Sequence, residues 1–374
     1  MPLRGENPRR PTYEIQRTLP GGKAMVVVAN HRIFGRLCVQ KVVDVSQLSG
    51  HTAFQEPQLL DRIQHPQITP IDEVQWDPEA PAAITFVMPL YEGGSVASAL
   101  SEGHRFSMHG VIAIGADVAD ALSHVHVNVG FIHRDMKPGN ILMDAARDHG
   151  YLTDFGSAAR IDGADGTAPA TTATLPYMPP EAITSGRIGP PGDVYGLGFV
   201  LYEMLCGPIP WQNDPGLPMQ QRLMRGQRSL PEAALNVFPP HVPEQLRRVV
   251  RKALRRGADE RQASAGELLH ELRALRVIDW RRLDGDSLVG EWQGTWPPHL
   301  PARDRFTYRV MSRVLGSGRS RGRLRLEAHY RRPERLDWRT AGVPAETCDP
   351  ADPSTVTQFF AAVAARAAQR TPAR

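Results

Sequence analysis

From Tyr13 to about Asp44 apolar and polar positions alternate and β-branched residues are enriched, as in Met25-Val26-Val27-Val28 and Leu37-Cys38-Val39. Side chains of a strand point to opposite faces in turn, so this stretch predicts antiparallel strands. A helical segment is expected around Phe54 to Ile63, followed by strands around Ile71–Val74 and Ala83–Met88. Beyond Ser95 the period lengthens to that of a helix, most clearly in Val111–Val125, Asp193–Leu205 and Pro243–Arg255, with short strands near Ile141 and Tyr151. A small β-rich lobe before a larger helical one leaves a cleft between them, so a ligand is expected near residues 88–95.

After Leu275 the helical period stops, and tryptophans at 280, 292, 296 and 338 stand among proline, glycine and arginine. Phe306–Leu315 and Arg321–Tyr330 read as two strands joined by a Gly-Ser-Gly-Arg-Ser turn, and Ser354 as the cap of a final alanine-rich helix reaching about Arg370. The expected division is a tail over 1–12, a two-lobed domain over 13–276, a linker over 277–290 and a basic domain over 291–374.

A length of 374 residues suits two units, and 41% hydrophobic with 22% charged residues is an ordinary globular balance. No apolar run approaches the roughly 20 residues that cross a bilayer, and Met1–Arg10 lacks the apolar stretch of a signal peptide, so a cytoplasmic protein is expected. Cys38, Cys206 and Cys348 lie far apart without CxxC spacing, which suggests neither a disulfide framework nor a zinc site. Charge composition adds one clue. Only four of the 44 basic residues are lysines, Lys23, Lys41, Lys137 and Lys252. Where arginine serves as the general cation, a lysine marks a site that needs a compact point charge.

Two of those lysines fall in or near the most informative segments. His133-Arg134-Asp135-Met136-Lys137-Pro138-Gly139-Asn140 is followed by Asp154-Phe155-Gly156. This resembles the catalytic loop and metal-binding motif of eukaryotic-type (Hanks-type) serine/threonine protein kinases, of a bacterial kind by its arginine- and alanine-rich usage. The resemblance implies ATP as phosphoryl donor, with Mg2+ or Mn2+. Asp135 would orient and deprotonate a substrate hydroxyl, Lys137 would offset charge on the γ-phosphate, and Asn140 and Asp154 would hold the metal. Val39-Gln40-Lys41 resembles the family's phosphate-contacting lysine element, with Glu56 as the partner carboxylate. Pro57 follows at once, so the helix is expected to start late.

Leu19 to Val27 aligns with the family's glycine-rich loop only at Gly22; Pro20 and Met25 take the outer glycine positions. Val87 to Ser95 resembles the connection between lobes, where Pro89 and Tyr91 would hold adenine by backbone groups while Val27, Val39 and Leu142 sandwich the ring. Asp154 to Glu181 resembles an activation segment. Arg134 would engage a phosphorylated residue there, with Thr167, Thr171 and Thr172 as candidate autophosphorylation sites and Thr174 beside the catalytic loop. Asp193 would support that loop, and Arg261 would pair with Glu181. The resemblance covers Tyr13 to Leu275 and implies an α+β, bilobal kinase fold, here extended by a small β-rich domain that ends in a helix.

Residues 280–340 carry 14 arginines against seven acids, and Arg321, Arg323 and Arg325 are expected on one face of a strand opposite Leu324 and Leu326. A solvated basic face and a docking surface for an acidic protein or nucleic acid both fit this pattern. For the chain as a whole, a protein kinase acting on Ser/Thr residues and a kinase-like binding or scaffold module remain the two readings.

Overall fold

The computed structural model describes residues 12–19, 24–45, 55–76, 83–170, 174–209, 218–285, 288–297 and 300–370. The small lobe is an antiparallel sheet of β1 (Tyr13–Leu19), β2 (Met25–His31), β3 (Arg36–Asp44), β4 (Glu73–Trp76) and β5 (Ala83–Pro89), in spatial order β1-β2-β3-β5-β4. The fourth strand starts later than its apolar pattern suggests. Ile71 packs against the core ahead of it, and the pairing begins at Glu73 opposite Val87. β3 lies at the centre, with Lys41 opposite Val26 on β2 and Phe86 on β5. Helix α1 (Gln55–Arg62) buries Leu59 and Leu60. Pro57 is its third residue, where a backbone N–H has no acceptor within the helix, so the ring costs no hydrogen bond.

The large lobe is built on α2 (Val96–Ser101), α3 (Met108–His124), β6 (Ile141–Met143), β7 (Gly150–Leu152), α4 (Pro190–Cys206), α5 (Glu244–Ala253) and α6 (Ala265–Ala274). On α3, Val111, Ile114, Val118 and Leu122 recur at helical spacing and are fully buried. Gly115 permits close packing with α4, since a Cβ there would meet Leu201 at 2.7 Å. By length and composition alone Met108–Val129 is apolar enough to cross a membrane, although it holds no uninterrupted apolar run, and 61% of its most apolar stretch is buried inside the protein. Its burial in the lobe explains its apolarity.

The region after Leu275 differs from expectation. Asp279–Gly285, within the expected linker, is strand β8 and pairs with β9 (Gly290–Trp296). The antiparallel sheet continues through β10 (Phe306–Val314) and β11 (Leu324–Arg331), with β12 (Arg339–Thr340) and β13 (Glu346–Cys348) both pairing β11. Helix α7 (Pro353–Arg370) covers it. The cap of α7 is Asp352, not Ser354, because its carboxylate accepts the Ser354 N–H at 3.0 Å and Pro353 takes the first helical position. Arg321 lies in the turn before β11, where its N–H bonds to Gly318, so only Leu324 onward keeps the strand alternation.

This sheet has no core of its own. Trp280, Trp292, Tyr308 and Phe360 belong to one buried cluster with Leu246 and Val250 of the large lobe. Asp279 also accepts the His109 N–H at 2.8 Å. Two of its arginines are paired within the sheet, Arg309 with Glu291 at 2.6 Å and Arg325 with Glu327 at 2.7 Å, and nothing here supports an acidic protein or nucleic acid on the face expected at Arg321–Arg325.

His241 of the large lobe lies 6.1 Å from the rings of both Trp292 and Phe360, and its Nδ1 is enclosed without a hydrogen-bond partner among the described residues. Burial, reinforced by Arg247 and Arg105, pushes its pKa down to about 4. Protonation therefore favours the unfolded chain. The stabilisation is whole above about pH 6.5 and is lost as pH falls toward 4, a change on the order of 2–3 kcal/mol. Thermal melts of His241→Phe between pH 7 and 4.5 should fall less steeply than wild type; equal slopes would refute the assignment.

Candidate active site

Lys41 extends from the central strand to two carboxylates. Its Nζ lies 3.0 Å from Glu56 Oε1 and 2.7 Å from Asp154 Oδ1, across the cleft. Burial works to lower the lysine pKa, but Glu56 and Asp154 together outweigh it and hold the ammonium charged. Burial likewise works to raise Asp154, and Lys41 reverses this, keeping the carboxylate ionised. Glu56 is raised, by burial first and with Asp154 adding to it, as expected of a second carboxylate sharing one cation.

The catalytic-type loop is fixed from beneath by Asp193 in the first turn of α4. Its buried carboxylate accepts the N–H groups of His133 (2.8 Å) and Arg134 (2.9 Å), and bonds His126 Nε2 at 2.8 Å. These bonds overcome burial and hold its pKa below the usual carboxylate range. Arg134 has a left-handed φ of 68°, and Asp154 one of 65°. Such strain persists where surrounding bonds over-determine the backbone. Asp135 then receives Lys137 Nζ at 2.5 Å, Thr174 Oγ1 at 3.0 Å and the Thr174 N–H at 3.2 Å. Burial would raise its pKa, but these donors, Lys137 foremost, bring it below the ordinary value. Asn140 Nδ2 donates to the Asp135 carbonyl at 2.8 Å.

On the cleft side of the small lobe, pairing puts Val39 opposite Val28 and Met88, on the same face as Lys41. Val27, expected on that face, pairs with Gln40 and faces the other way with Ala29 and Cys38. A one-residue slip in a strand exchanges its faces, and Val28 takes the place assigned to Val27. Leu142 on β6 is half-buried, Pro89 ends β5, and the Tyr91 carbonyl accepts the Gly94 N–H at 3.1 Å while its ring meets Tyr151 at 4.4 Å. Gly22, Thr171 and Thr172 lie outside the described residues.

Residues 13–272 match the protein kinase domain. This chain belongs to the protein kinase family. The kinase is 30% identical over 77% of its length to the DNA damage-responsive serine/threonine-protein kinase RqkA of Deinococcus radiodurans, covering 46% of that protein. It is 29% identical over 78% of its length to the serine/threonine-protein kinase PknH of Mycobacterium tuberculosis, covering 47%. With the cAMP-dependent protein kinase catalytic subunit of Schizosaccharomyces pombe it shares 31% identity over 56% of its length, covering 40%. The chain thus spans about half the length, or less, of these relatives.

In this kinase Arg134 donates to the carbonyls of Ser157 (2.5 Å) and Pro169 (2.6 Å), so it holds the activation segment by its backbone. Thr167 Oγ1 donates to Asp165 and receives Arg187 Nε at 2.6 Å. Further on, Arg261 makes a fully enclosed fork on Glu181, at 2.7 and 2.8 Å. His126, Val28 and Arg187 were missed by the sequence reading. Nothing local marks them: Val28 depends on the register between β2 and β3, and His126 and Arg187 on contacts far along the chain.

Proposed function

We propose that this kinase transfers the γ-phosphoryl group of ATP to serine or threonine hydroxyls of proteins. The observation that carries the reading is the convergence of Lys137 and Thr174 on Asp135, a carboxylate kept ionised inside the cleft. An ionised aspartate there orients an incoming hydroxyl and accepts its proton as the oxygen bonds to the γ-phosphorus and the bond to the β–γ bridging oxygen breaks, releasing ADP. Lys137 and Lys41 stabilise charge that spreads over the phosphate oxygens. Thr174 beside the loop favours a Ser/Thr acceptor.

The residues fit a divalent ion. Asn140 spends its amide N–H on the Asp135 carbonyl, which directs its Oδ1 elsewhere, and Lys41 engages Asp154 through Oδ1, leaving Oδ2. Two hard oxygen donors suit Mg2+, which takes one or two protein ligands and completes its shell with phosphate and water. When bound, the ion would neutralise phosphate charge. Among the described residues no group of three or more His, Cys, Asp or Glu offers another metal site. Three free cysteines and the use of ATP fit a cytoplasmic setting.

The reading extends to autophosphorylation of the activation segment at Thr167, Thr171 or Thr172. Thr167 has Arg187 as a ready cation, but a phosphate there must also displace Asp165. After incubation with Mg·ATP, mass spectrometry is expected to find phosphate between residues 157 and 174, and none in Lys41→Ala. Unmodified wild-type peptides across that span would remove this part of the proposal. Transfer of labelled phosphate to a generic Ser/Thr protein tests the whole, and failure to label any polypeptide would favour the scaffold reading.

A further inference from the structure

A cavity of about 270 Å³ lies away from the cleft, where the large lobe meets the C-terminal sheet. Its walls come from the segment before α3 (His104, Arg105, Ser107), the β6–β7 turn (Arg147, Asp148) and β8 (Arg281). Three guanidinium groups from three separate stretches thus converge on one hollow.

Each is placed by a local feature. Asp279 bonds the first turn of α3, and Arg281 is two residues further along the strand on the same face, while Trp280 between them is buried in the core. Arg147 adopts a left-handed φ of 59°, a turn position where Gly, Asn or Asp would be unstrained. From there it donates to the Gly93 carbonyl at 3.2 Å and to Glu102 at 2.9 Å. Asp148 is the one carboxylate of the lining, and Glu102 is engaged by Arg147. Arg105 and Arg281 have no hydrogen-bond or ion-pair partner among the described residues. The N–H groups of His109 and Gly110 are already taken by Asp279 and Ser107, so the guanidinium groups and not the helix end supply the donors.

We propose that this cavity binds a phosphate monoester, gripped by Arg105 and Arg281 with Arg147 beside them. Planar guanidinium forks match phosphate oxygens two at a time, and two uncommitted forks facing one hollow with a single carboxylate favour a compact dianion. Its source is either a phosphorylated side chain or a free small phosphate. The inference stands apart from the catalytic reading, since it uses none of the cleft residues.

The test is a phosphorus NMR titration of the full chain with inorganic phosphate and, separately, with O-phosphothreonine, in the Lys41→Ala background to weaken phosphate contacts in the cleft. Saturable binding is expected, weakened at least about tenfold by Arg105→Ser or Arg281→Ser, in line with the loss of charge-assisted bonds. Both side chains are exposed, and circular dichroism should find these variants folded. Tighter binding of phosphothreonine would identify a phosphorylated side chain as the source; equal affinity would identify free phosphate. Absence of saturable binding, or binding untouched by both substitutions, overturns the proposal.

Discussion

Asp135→Asn is expected to lower the turnover of phosphoryl transfer by about 10²- to 10⁴-fold, the range for loss of a positioned general base. Asparagine keeps the size of the side chain and can still accept the Thr174 hydrogen bond, which reaches Asp135 Oδ1 at 3.0 Å. What it loses is the ability to take a proton and the charge that holds Lys137 at 2.5 Å. KM for the nucleotide should change far less than kcat, because Lys41, Asn140 and Asp154 are untouched. Steady-state kinetics on wild type and variant separate the two. A loss confined to KM, or an unchanged kcat, would remove Asp135 from the chemistry. Because Lys137 and Thr174 keep the Asp135 pKa below its ordinary value, the wild-type rate should show no acidic limb from this group above about pH 4.

The largest expected effect on stability comes from Arg261→Ala. Its guanidinium is fully enclosed, forks onto Glu181, donates to the carbonyls of Arg255, Arg256 and Pro191, and lies 4.6 Å over the Tyr195 ring. Removing one partner of a buried pair strands the other charge and commonly costs about 3–5 kcal/mol. Denaturant unfolding should register a drop of that order. Glu181→Gln, on the partially exposed side of the pair, should cost less. The double variant should cost less than the sum, since each single change removes the same interaction. Strict additivity would mean that the two side chains do not act as a pair. A drop below about 1 kcal/mol for Arg261→Ala would mean that the enclosed fork contributes no more than a surface ion pair.

How far the site could be read in advance depended on whether its parts lie close together in the chain. His133 to Asn140 and Asp154 to Gly156 announce themselves because each residue must present a particular group within a short segment. The scarcity of lysine drew attention to Lys41 and Lys137, and equally to Lys23 and to Lys252, which pairs with Glu267 and Glu271. Glu56 was harder, since Pro57 argued for a helix that starts late; the helix runs from Gln55, and the proline is accommodated because only the first turn is affected. Val27 was misplaced because the glycine-rich loop gave few anchors and a strand's faces exchange with a shift of one residue. The segment at Asp279 is a strand although only Trp280 of it is buried, and with its other side chains partly or fully exposed it is hard to tell from a solvated connection.

The amino-acid order by itself determined the two lobes and marked the residues that the proposed chemistry uses, because periodicity and reactive side chains are local properties. Tertiary structure alone decided three other things. It set which valine faces the cleft, through cross-strand register; it joined His126 and Asp193 beneath the catalytic loop; and it fused the C-terminal sheet to the large lobe, bringing Arg105, Arg147 and Arg281 to one hollow. Those are contacts between residues far apart in the chain, and no spacing rule carries them. The fusion of the sheet follows from burying Trp280, Trp292 and Phe360 against a lobe whose own apolar surface needed cover.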